Sequence, residues 1–353
     1  MKNVVFKSLG CFFILVVLSA CGGGGGDSSP VFNPGPPIGT QNTSPVVPVT
    51  PVVLSTPAVT TVTAASYVVG SPEKEAYDYL NAELGRCGFG LKQEKPSLNI
   101  AAQGHADWQL VNNYSSHFQL NSTPGFTGVD PYDRIANAGY GARNSFVGAD
   151  EISISNGTDD KNIYAGRESI ARLLNAPHHL RGLVEGFKDI GISIRNSQDA
   201  QSKHGARVVA QINMGYKLSE GYQRRAKKFV TYPCDGSVGV ARSLTNESPE
   251  PVIGRNLANK PLGTSMYMGA NVGDKIEVHS AKMTEFVSGE VVVTREPVSK
   301  TNTASALWSY GEHETYVAAD APLKPLTLYK MVIEYSLNGV LQAPETQTFT
   351  TGN

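Results

Sequence analysis

The sequence predicts an α+β protein in which helices come first and strands come last, after a long N-terminal part without a regular pattern. Apolar residues recur at helical spacing between residues 71 and 175 and alternate at strand spacing after residue 190. Proline and glycine turns separate short strand-like runs within residues 240–353. We therefore expect a mixed first domain over residues 71–216, a connector over residues 217–239 and a small all-β sandwich over residues 240–353.

The first twenty residues are typical of a bacterial export signal. Lys2 and Lys7 give a positive start, and an apolar run follows at Phe12–Val17. A membrane-spanning helix needs about 20 apolar residues, so this run is too short to be one. The sequence Leu-Ser-Ala-Cys at residues 18–21 resembles the lipobox of bacterial lipoproteins, in which the cysteine receives lipid before cleavage. An ordinary secretory signal cleaved near Ala20 is the alternative.

Lipid on Cys21 implies a chain anchored to a membrane of the bacterial cell envelope, with its folded part outside the cytoplasm. Gly22 follows the cysteine in place of aspartate, and by the sorting rule of Gram-negative lipoproteins this residue indicates the outer membrane. We expect residues 21–70 to form an extended tether. Glycines open this segment, prolines recur in it, and no charged residue occurs between Ser28 and Pro72.

Charge and cysteine usage restrict the partners and the covalent structure. The formal net charge of −1 gives no indication of a nucleic-acid partner. Cys11 leaves with the signal and Cys21 takes lipid, which leaves Cys87 and Cys234 for the folded part. In an oxidising compartment this pair predicts one disulfide. Two buried free thiols are the alternative.

The first domain is predicted to contain three helices followed by two strands. Proline in the first turn after a capping serine marks the first helix, and Pro177 ends the third. The helices are expected from Ser71 to Gly85, from Ser97 to Trp108 and over residues 164–175. Ile190, Ile192 and Ile194 alternate with smaller or polar residues, as in a half-buried strand, and the other strand is expected at residues 208–214.

The second domain is predicted to consist of strands and turns. Asn338-Gly339 is a strong hairpin signal. The expected strands are Ile276–Ser280, Val291–Arg295, Thr315–Ala318, Leu328–Ser336 and Thr346–Thr350. This pattern resembles bacterial Ig-like domains that end in a tyrosine-rich strand, a hairpin and Phe-Thr-Thr.

Ten short motifs follow one another in order along the first domain. They are Tyr79-Leu80-Asn81, Arg86-Cys87-Gly88, Ala102 to Ala106, Ser116-His117, Asp133-Arg134, Gly139-Tyr140, Glu151-Ile152-Ser153, Pro177-His178-His179, Asp189 to Ile192, and Gln211. Their order resembles the CAP superfamily (cysteine-rich secretory proteins, antigen 5 and pathogenesis-related 1; the SCP domain) in its bacterial form. The resemblance implies an α-β-α sandwich with an open cleft.

In that family, histidines and acidic residues line the cleft and can hold a divalent metal, and the resemblance carries this role to His117, Glu151 and His179. Two imidazoles and a carboxylate would suit zinc, and a hydrogen-bonded polar cluster is the alternative. The eukaryotic-type Gly-His-Tyr-Thr-Gln motif is absent, since Val208 stands where its histidine would be. A second cleft acid cannot be assigned, because the nearest candidate, Glu168, fits a solvent-facing helix position equally well.

Other ionisable residues in these motifs are interpreted as structural. His105 lies on the apolar face of a helix and is expected to be a core residue with its hydrogen bonds satisfied. His178 is expected to be a surface neighbour of His179, and Asp133-Arg134 is expected to be a structural ion pair.

The sequence lacks the metalloprotease His-Glu-x-x-His, the Gly-x-Ser-x-Gly nucleophile turn and the phosphate-binding glycine loop. The CAP resemblance, in which lipid and sterol binding recur, implies a non-enzymatic binding protein whose cleft takes a small apolar or amphipathic ligand, such as a lipid, a sterol-like molecule or cell-wall material. One alternative is an envelope or adhesion protein that holds a protein partner through its β domain. The other is a metal-assisted hydrolase of peptide or cell-wall material that acts through His117, Glu151 and His179.

Overall fold

The structure, a computed structural model, describes residues 54–141, 144–154, 166–204, 207–247, 250–252, 254–295, 297–298 and 310–353. The predicted export signal, the lipid site at Cys21 and the tether up to residue 53 lie outside these residues. The described part contains both helices and strands, which confirms the α+β class. It contains no helix long and apolar enough to cross a membrane.

The described residues form five helices. They are α1 (Pro72–Cys87), α2 (Pro96–Asn112), α3 (Pro131–Asn137), α4 (Gly166–Leu173) and α5 (Pro177–Val184). The start of α1 follows the prediction, because Ser71 accepts a hydrogen bond from the Lys74 N–H and Pro72 occupies the first turn. Gly88 ends this helix at a φ of 85°, a left-handed conformation that glycine adopts without strain. The sequence analysis missed α3 and α5, which are seven and eight residues long.

A four-stranded sheet supports the helices of the first domain. Its strands are β2 (Gln93–Glu94), β3 (Ser145–Ile154), β4 (Asp189–Asn196) and β5 (Val208–Lys217), in the order β2-β4-β5-β3. Helices lie on both faces. On one face, a Cβ at Gly191 would lie 2.2 Å from the backbone of Leu98 in α2, and on the other, Gly182 of α5 lies against Asp150. The prediction of a half-buried β4 is wrong, because helices cover both of its sides.

The second domain consists of two sheets around one core. One sheet contains β8 (Ser237–Val240), β10 (Ile276–Glu285), β11 (Val291–Val292), β13 (Leu328–Leu337), β14 (Val340–Leu341) and β15 (Glu345–Thr351), in the order β11-β10-β13-β15-β8, with β14 on β13. The other contains β7 (Val230–Tyr232), β9 (Ser265–Gly269) and β12 (Glu314–Ala318), in the order β12-β9-β7. Met268, Met283, Met331 and Phe349 belong to the core that both sheets enclose.

Each of the five predicted strands of this domain overlaps a strand of the structure. Asn338 and Gly339 form the predicted turn, with φ values of 52° and 76°, but the turn leads into the short β14 before the chain continues to β15. Two positive φ values in succession are the geometry that an Asn-Gly pair accommodates. The Ig-like assignment stays a prediction.

The folded part begins earlier than the predicted boundary at residue 70. The strand β1 (Ser55–Thr56) pairs in parallel with β6 (Tyr222–Gln223). Further along, Thr63 and Ser66 donate hydrogen bonds to Gln93 and Glu94 at the edge of the first sheet. Composition indicated a tether up to residue 70, but this stretch obtains its hydrogen bonds from partners that are distant in sequence.

Residues 217–239 are not the separate connector that the sequence predicts. They supply β6, β7 and β8, and the last two of these strands belong to the sheets of the second domain. The prediction failed because β8 pairs with β15, more than a hundred residues later, and leaves no local signal. Cys87 at the end of α1 forms a disulfide with Cys234 between β7 and β8, with the two Cα atoms 5.3 Å apart, so the predicted pairing is confirmed.

Candidate functional site

Glu151 is the centre of a buried polar cluster in the first domain. It lies on β3, directly opposite Gln211 of β5, and only 3% of its surface is exposed. The Nε2 atom of His105 lies 3.2 Å from Glu151 Oε2, and the Nδ1 atom of His117 lies 3.5 Å from the same oxygen. The sheet therefore holds one carboxylate between two imidazoles.

Two helices and one loop bring these imidazoles to the sheet. His105 is on α2 and also bonds to the Ser116 carbonyl, while Gln119 donates to its Nδ1 atom. Arg134 of α3 donates to the His117 carbonyl at 2.8 Å and so fixes the loop that carries this histidine. His105 is a buried, hydrogen-bonded core residue as predicted, and it is also a direct partner of Glu151, a role that the sequence analysis missed.

The charges in this cluster follow from burial and from the neighbouring groups. Burial alone would raise the pKa of the Glu151 carboxyl, but His117, His105 and Arg134 lower the pKa to about 2. Burial lowers the pKa of His117 to about 4 and also lowers the pKa of His105. Near pH 7 the cluster is therefore an ionised carboxylate beside a neutral His117, with the Arg134 guanidinium as the nearby cation.

His179 enters the site from the first turn of α5, which starts at Pro177. Its Nδ1 atom lies 3.3 Å from Glu247 Oε1, and the same oxygen accepts a hydrogen bond from the His178 backbone N–H at 2.8 Å. Burial would lower the pKa of His179, but Glu247, Asp150 and Glu151 raise the pKa above its ordinary value. His179 thus carries more positive charge than His117 at the same pH.

Glu247 belongs to the second domain and is the acidic partner of His179, a residue that the sequence analysis did not name. Nothing in the sequence near Glu247 marks it as a partner of a histidine 68 positions earlier. The nearest candidate from sequence, Glu168, is exposed and pairs with Arg172 on α4, as the solvent-facing interpretation predicts. The interpretation of His178 as a surface residue is wrong, because α5 packs under the second domain and leaves only 2% of His178 exposed.

A loop of the second domain covers the cluster. This covering loop, residues 243–247, is fixed by Leu244, which exchanges backbone hydrogen bonds with Leu262 and packs against Ala176. Arg181 of α5 pairs with Glu314 of β12 at 2.8 Å across the interface between the domains, where Glu314 is buried and Arg181 is partly exposed. The second domain is therefore part of the site.

A small pocket remains between the covering loop and the first domain. Its walls include the apolar side chains of Ile152, Leu173 and Leu244, and its polar lining includes Glu151 and His179. The cavity volume is about 60 Å³. On this measure a water-sized group needs about 10–15 Å³, so the pocket has room for about four to six such groups.

Several buried polar atoms in the cluster and the covering loop have no hydrogen-bond partner among the described residues. They include His117 Nδ1 and Nε2, Gln211 Oε1, Glu247 Oε2 and His179 Nε2, and His179 also lines the pocket. Buried polar atoms of this kind normally have a partner, so this region favours a polar or ionic guest.

The three residues assigned to a metal by resemblance do not form one compact ligand set. Glu151 contacts His117, whereas the contact of His179 is with Glu247. Across the described residues, no group of three or more His, Cys, Asp or Glu side chains is arranged to hold a metal ion. The zinc site stays a prediction, and the contacts in the structure are those of its alternative, a polar cluster.

Comparison with known proteins supplies no assignment, since no family model matches the chain and no curated protein is significantly similar to it.

Proposed function

We propose that this chain is a lipid-anchored, extracytoplasmic binding protein of the CAP type that takes a small amphipathic ligand without chemical turnover. The pocket between Glu151 and His179 is the observation that carries the proposal. It combines apolar walls with a carboxylate and an imidazole, and its volume is about 60 Å³. Binding sites for amphipathic ligands have this composition, with a few polar groups set in an apolar lining.

The CAP assignment is supported by the order of the motifs and by what surrounds them. Helices lie on both faces of a sheet that carries Glu151, and His179 lies close enough to His117 to help lower its pKa. A cleft covered by a loop of a second domain departs from the open cleft that the resemblance implies.

The pocket restricts the size of the ligand. Sites for drug-sized molecules enclose about 300–1,000 Å³, far more than this cavity holds. A complete sterol or acyl chain therefore does not fit under the covering loop in its present position. The ligand is a molecule of a few heavy atoms, or the small end of a larger one, with its polar atom towards His179 Nε2.

Binding without turnover agrees with the way Glu151 is held. A hydrolase would have to place a scissile bond and its flanking groups against Glu151, and the pocket has no room for a peptide or a glycan there. Both imidazoles beside the carboxylate are buried, and His105 is hydrogen-bonded to it. We therefore favour binding over the metal-assisted hydrolase.

Calorimetric titration of the full chain carrying Cys21→Ser tests the proposal. The probes are butyrate, butylammonium and butanol, followed by a short-chain phosphatidylcholine and a sterol sulfate. We expect saturable binding of at least one four-carbon probe. Absence of saturable binding for every probe would contradict the proposal.

A matched pair of variants locates the binding. Ala176→Leu adds three carbons at the pocket wall, whereas Ala200→Leu makes the same change in a separate cluster of the first domain. The first should weaken binding about tenfold or more and the second should not, although both add volume to a packed region. Equal affinity in the two variants would place the ligand elsewhere.

A further inference from the structure

A groove larger than the pocket lies where α4 faces β8 and the C-terminus. Its lining includes Arg167, Ala171, Val238 and Asn353, and its volume is about 920 Å³. This volume is within the range of ligand-binding clefts. The binding function proposed above does not use this groove.

The groove lies beside the pocket, because Arg172, Ser243 and Thr245 line both. A ligand lying in the groove is therefore next to the pocket that His179 lines, and the Nε2 atom of His179 has no hydrogen-bond partner among the described residues. The groove is the wider of the two cavities, with about 920 Å³ against about 60 Å³ for the pocket.

Three guanidinium groups line the groove, two of them from α4 and one from the segment that follows β8. Arg167 donates to the Val238 carbonyl at 3.0 Å and lies over the Tyr79 ring. Arg172 pairs with Glu168 at 2.8 Å, and Arg242 donates to the Leu323 carbonyl at 3.4 Å. A guanidinium carries five N–H donors in a planar fork that matches a carboxylate, so these residues favour carboxylate ligands.

The groove also contains two negative groups, the carboxylates of Glu75 and Glu168. A uniformly charged polyanion would be repelled by these carboxylates. A chain whose carboxylates alternate with uncharged groups meets the guanidinium groups with less repulsion.

The shape of the groove favours an extended peptide over a glycan. β8 is the last strand of its sheet in the order of the described strands, and Val238 in this strand is 49% exposed. Leu326, also in the groove, is 70% exposed. An extended peptide can lie along an end strand and place apolar and charged side chains alternately on its two sides.

We propose that the groove between α4 and β8 binds an extended peptide segment in which carboxylate side chains alternate with small apolar ones. This inference deepens the proposed function, because it supplies the class of larger molecule whose small end reaches the pocket. The guanidinium groups of Arg167 and Arg242 recognise the carboxylates, and Val238 and Leu326 contact the apolar side chains.

Fluorescence anisotropy with labelled peptides tests the proposal on the full chain carrying Cys21→Ser. The probe is an acetylated octapeptide of alternating glutamate and alanine. The comparison ligands are the alternating lysine-alanine peptide and an oligogalacturonate of equal charge. We expect the glutamate peptide alone to bind, with an affinity that falls as salt rises.

Two double variants remove two positive charges each. Arg167→Gln/Arg242→Gln changes the groove, and Arg224→Gln/Lys228→Gln changes exposed residues outside it. The groove variant should bind the glutamate peptide about tenfold more weakly, and the control should bind it normally. Equal binding of both peptides, or an unchanged affinity in the groove variant, would overturn the proposal. Equal or tighter binding of the oligogalacturonate would assign the groove to an acidic glycan and overturn the peptide class.

The two proposals fail separately. If Ala176→Leu still binds the four-carbon probes while the groove variant no longer binds the peptide, the pocket function fails and the groove proposal stands. If the groove variant still binds the peptide and the four-carbon probes, while Ala176→Leu no longer binds the four-carbon probes, the groove proposal fails and the pocket function stands.

Discussion

His179 Nδ1 lies 3.3 Å from Glu247 Oε1, and this contact joins α5 of the first domain to the covering loop of the second. Both side chains are almost completely buried. A buried pair of this kind is costly to break from one side, because the remaining charged group keeps its desolvation without a partner. The stability of the covering loop in its present position therefore depends on the charge of His179.

The first prediction concerns this contact. Since the pKa of His179 is raised in the folded protein, its contribution to stability is present below the unfolded value near 6.5 and is lost as pH rises through the folded pKa. Glu247→Gln should lower the free energy of unfolding by roughly 1–3 kcal/mol at pH 6 and by less at pH 9. Urea unfolding at both pH values measures the difference.

Glu250→Gln is the matched control for this variant, because Glu250 is an exposed residue close by in the chain. It should leave the free energy of unfolding unchanged at both pH values. An equal loss at pH 6 and pH 9 in Glu247→Gln would show that the charge of His179 does not support the loop.

The second prediction concerns His117. In the unfolded chain this histidine takes up a proton near pH 6.5, but burial holds its folded pKa at about 4. The unfolded state therefore binds more protons between these values, and stability falls as pH drops through that window. His117→Gln should lower stability at pH 7 and make the decline from pH 6.5 to 4 shallower, as measured by urea unfolding across this range.

His204 is exposed, so His204→Gln should retain the steep decline of the unsubstituted protein. A decline of the same slope in His117→Gln would mean that His117 does not titrate as a buried neutral imidazole. The response of Glu151 is separate, since its lowered pKa places its loss of stabilisation below about pH 4.5.

The third prediction concerns the disulfide. Cys87 and Cys234 are 147 positions apart in the sequence, so their bond restricts a large part of the unfolded chain. In the chain-entropy description, its removal costs about 4–5 kcal/mol. Cys87→Ser/Cys234→Ser should show this loss in urea unfolding, and chemical reduction of the unsubstituted protein should reproduce it. A loss below about 1 kcal/mol would contradict this account of the disulfide.

The fourth prediction concerns the anchor. If lipid on Cys21 holds the protein to the membrane, Cys21→Ser should abolish labelling with radioactive palmitate and move the protein to the soluble fraction of the envelope. Cys11→Ser changes a cysteine of the predicted signal and should affect neither result. Palmitate labelling that survives Cys21→Ser would contradict the lipobox assignment.

Local patterns account for the part of the fold that was predicted. The capping serine and proline at the start of α1 set their own local geometry, and the Asn338-Gly339 turn requires two positive φ values that this pair provides. The disulfide was predicted because only Cys87 and Cys234 remain for the folded part, and disulfides form in the oxidising compartment that the export signal implies. These features are encoded in a few consecutive residues or in composition.

Features that depend on distant partners were not predicted. Glu247 reaches His179 only because the second domain folds back over α5, and no residue beside either one encodes that approach. The burial of His178 has the same cause. Resemblance identified Glu151 and His117 as neighbours, but the covering loop and the small pocket depend on how two domains pack.

The nitrogen chemical shifts of the His179 imidazole, followed during titration with butyrate, butylammonium and butanol, test the central claim most directly. His179→Gln assigns the signal among the seven histidines. If the pocket between Glu151 and His179 is the binding site, at least one probe shifts the Nε2 signal in a saturable way in the full chain carrying Cys21→Ser. If no probe shifts it, or if Ala176→Leu leaves the shift unchanged, the pocket is not the binding site.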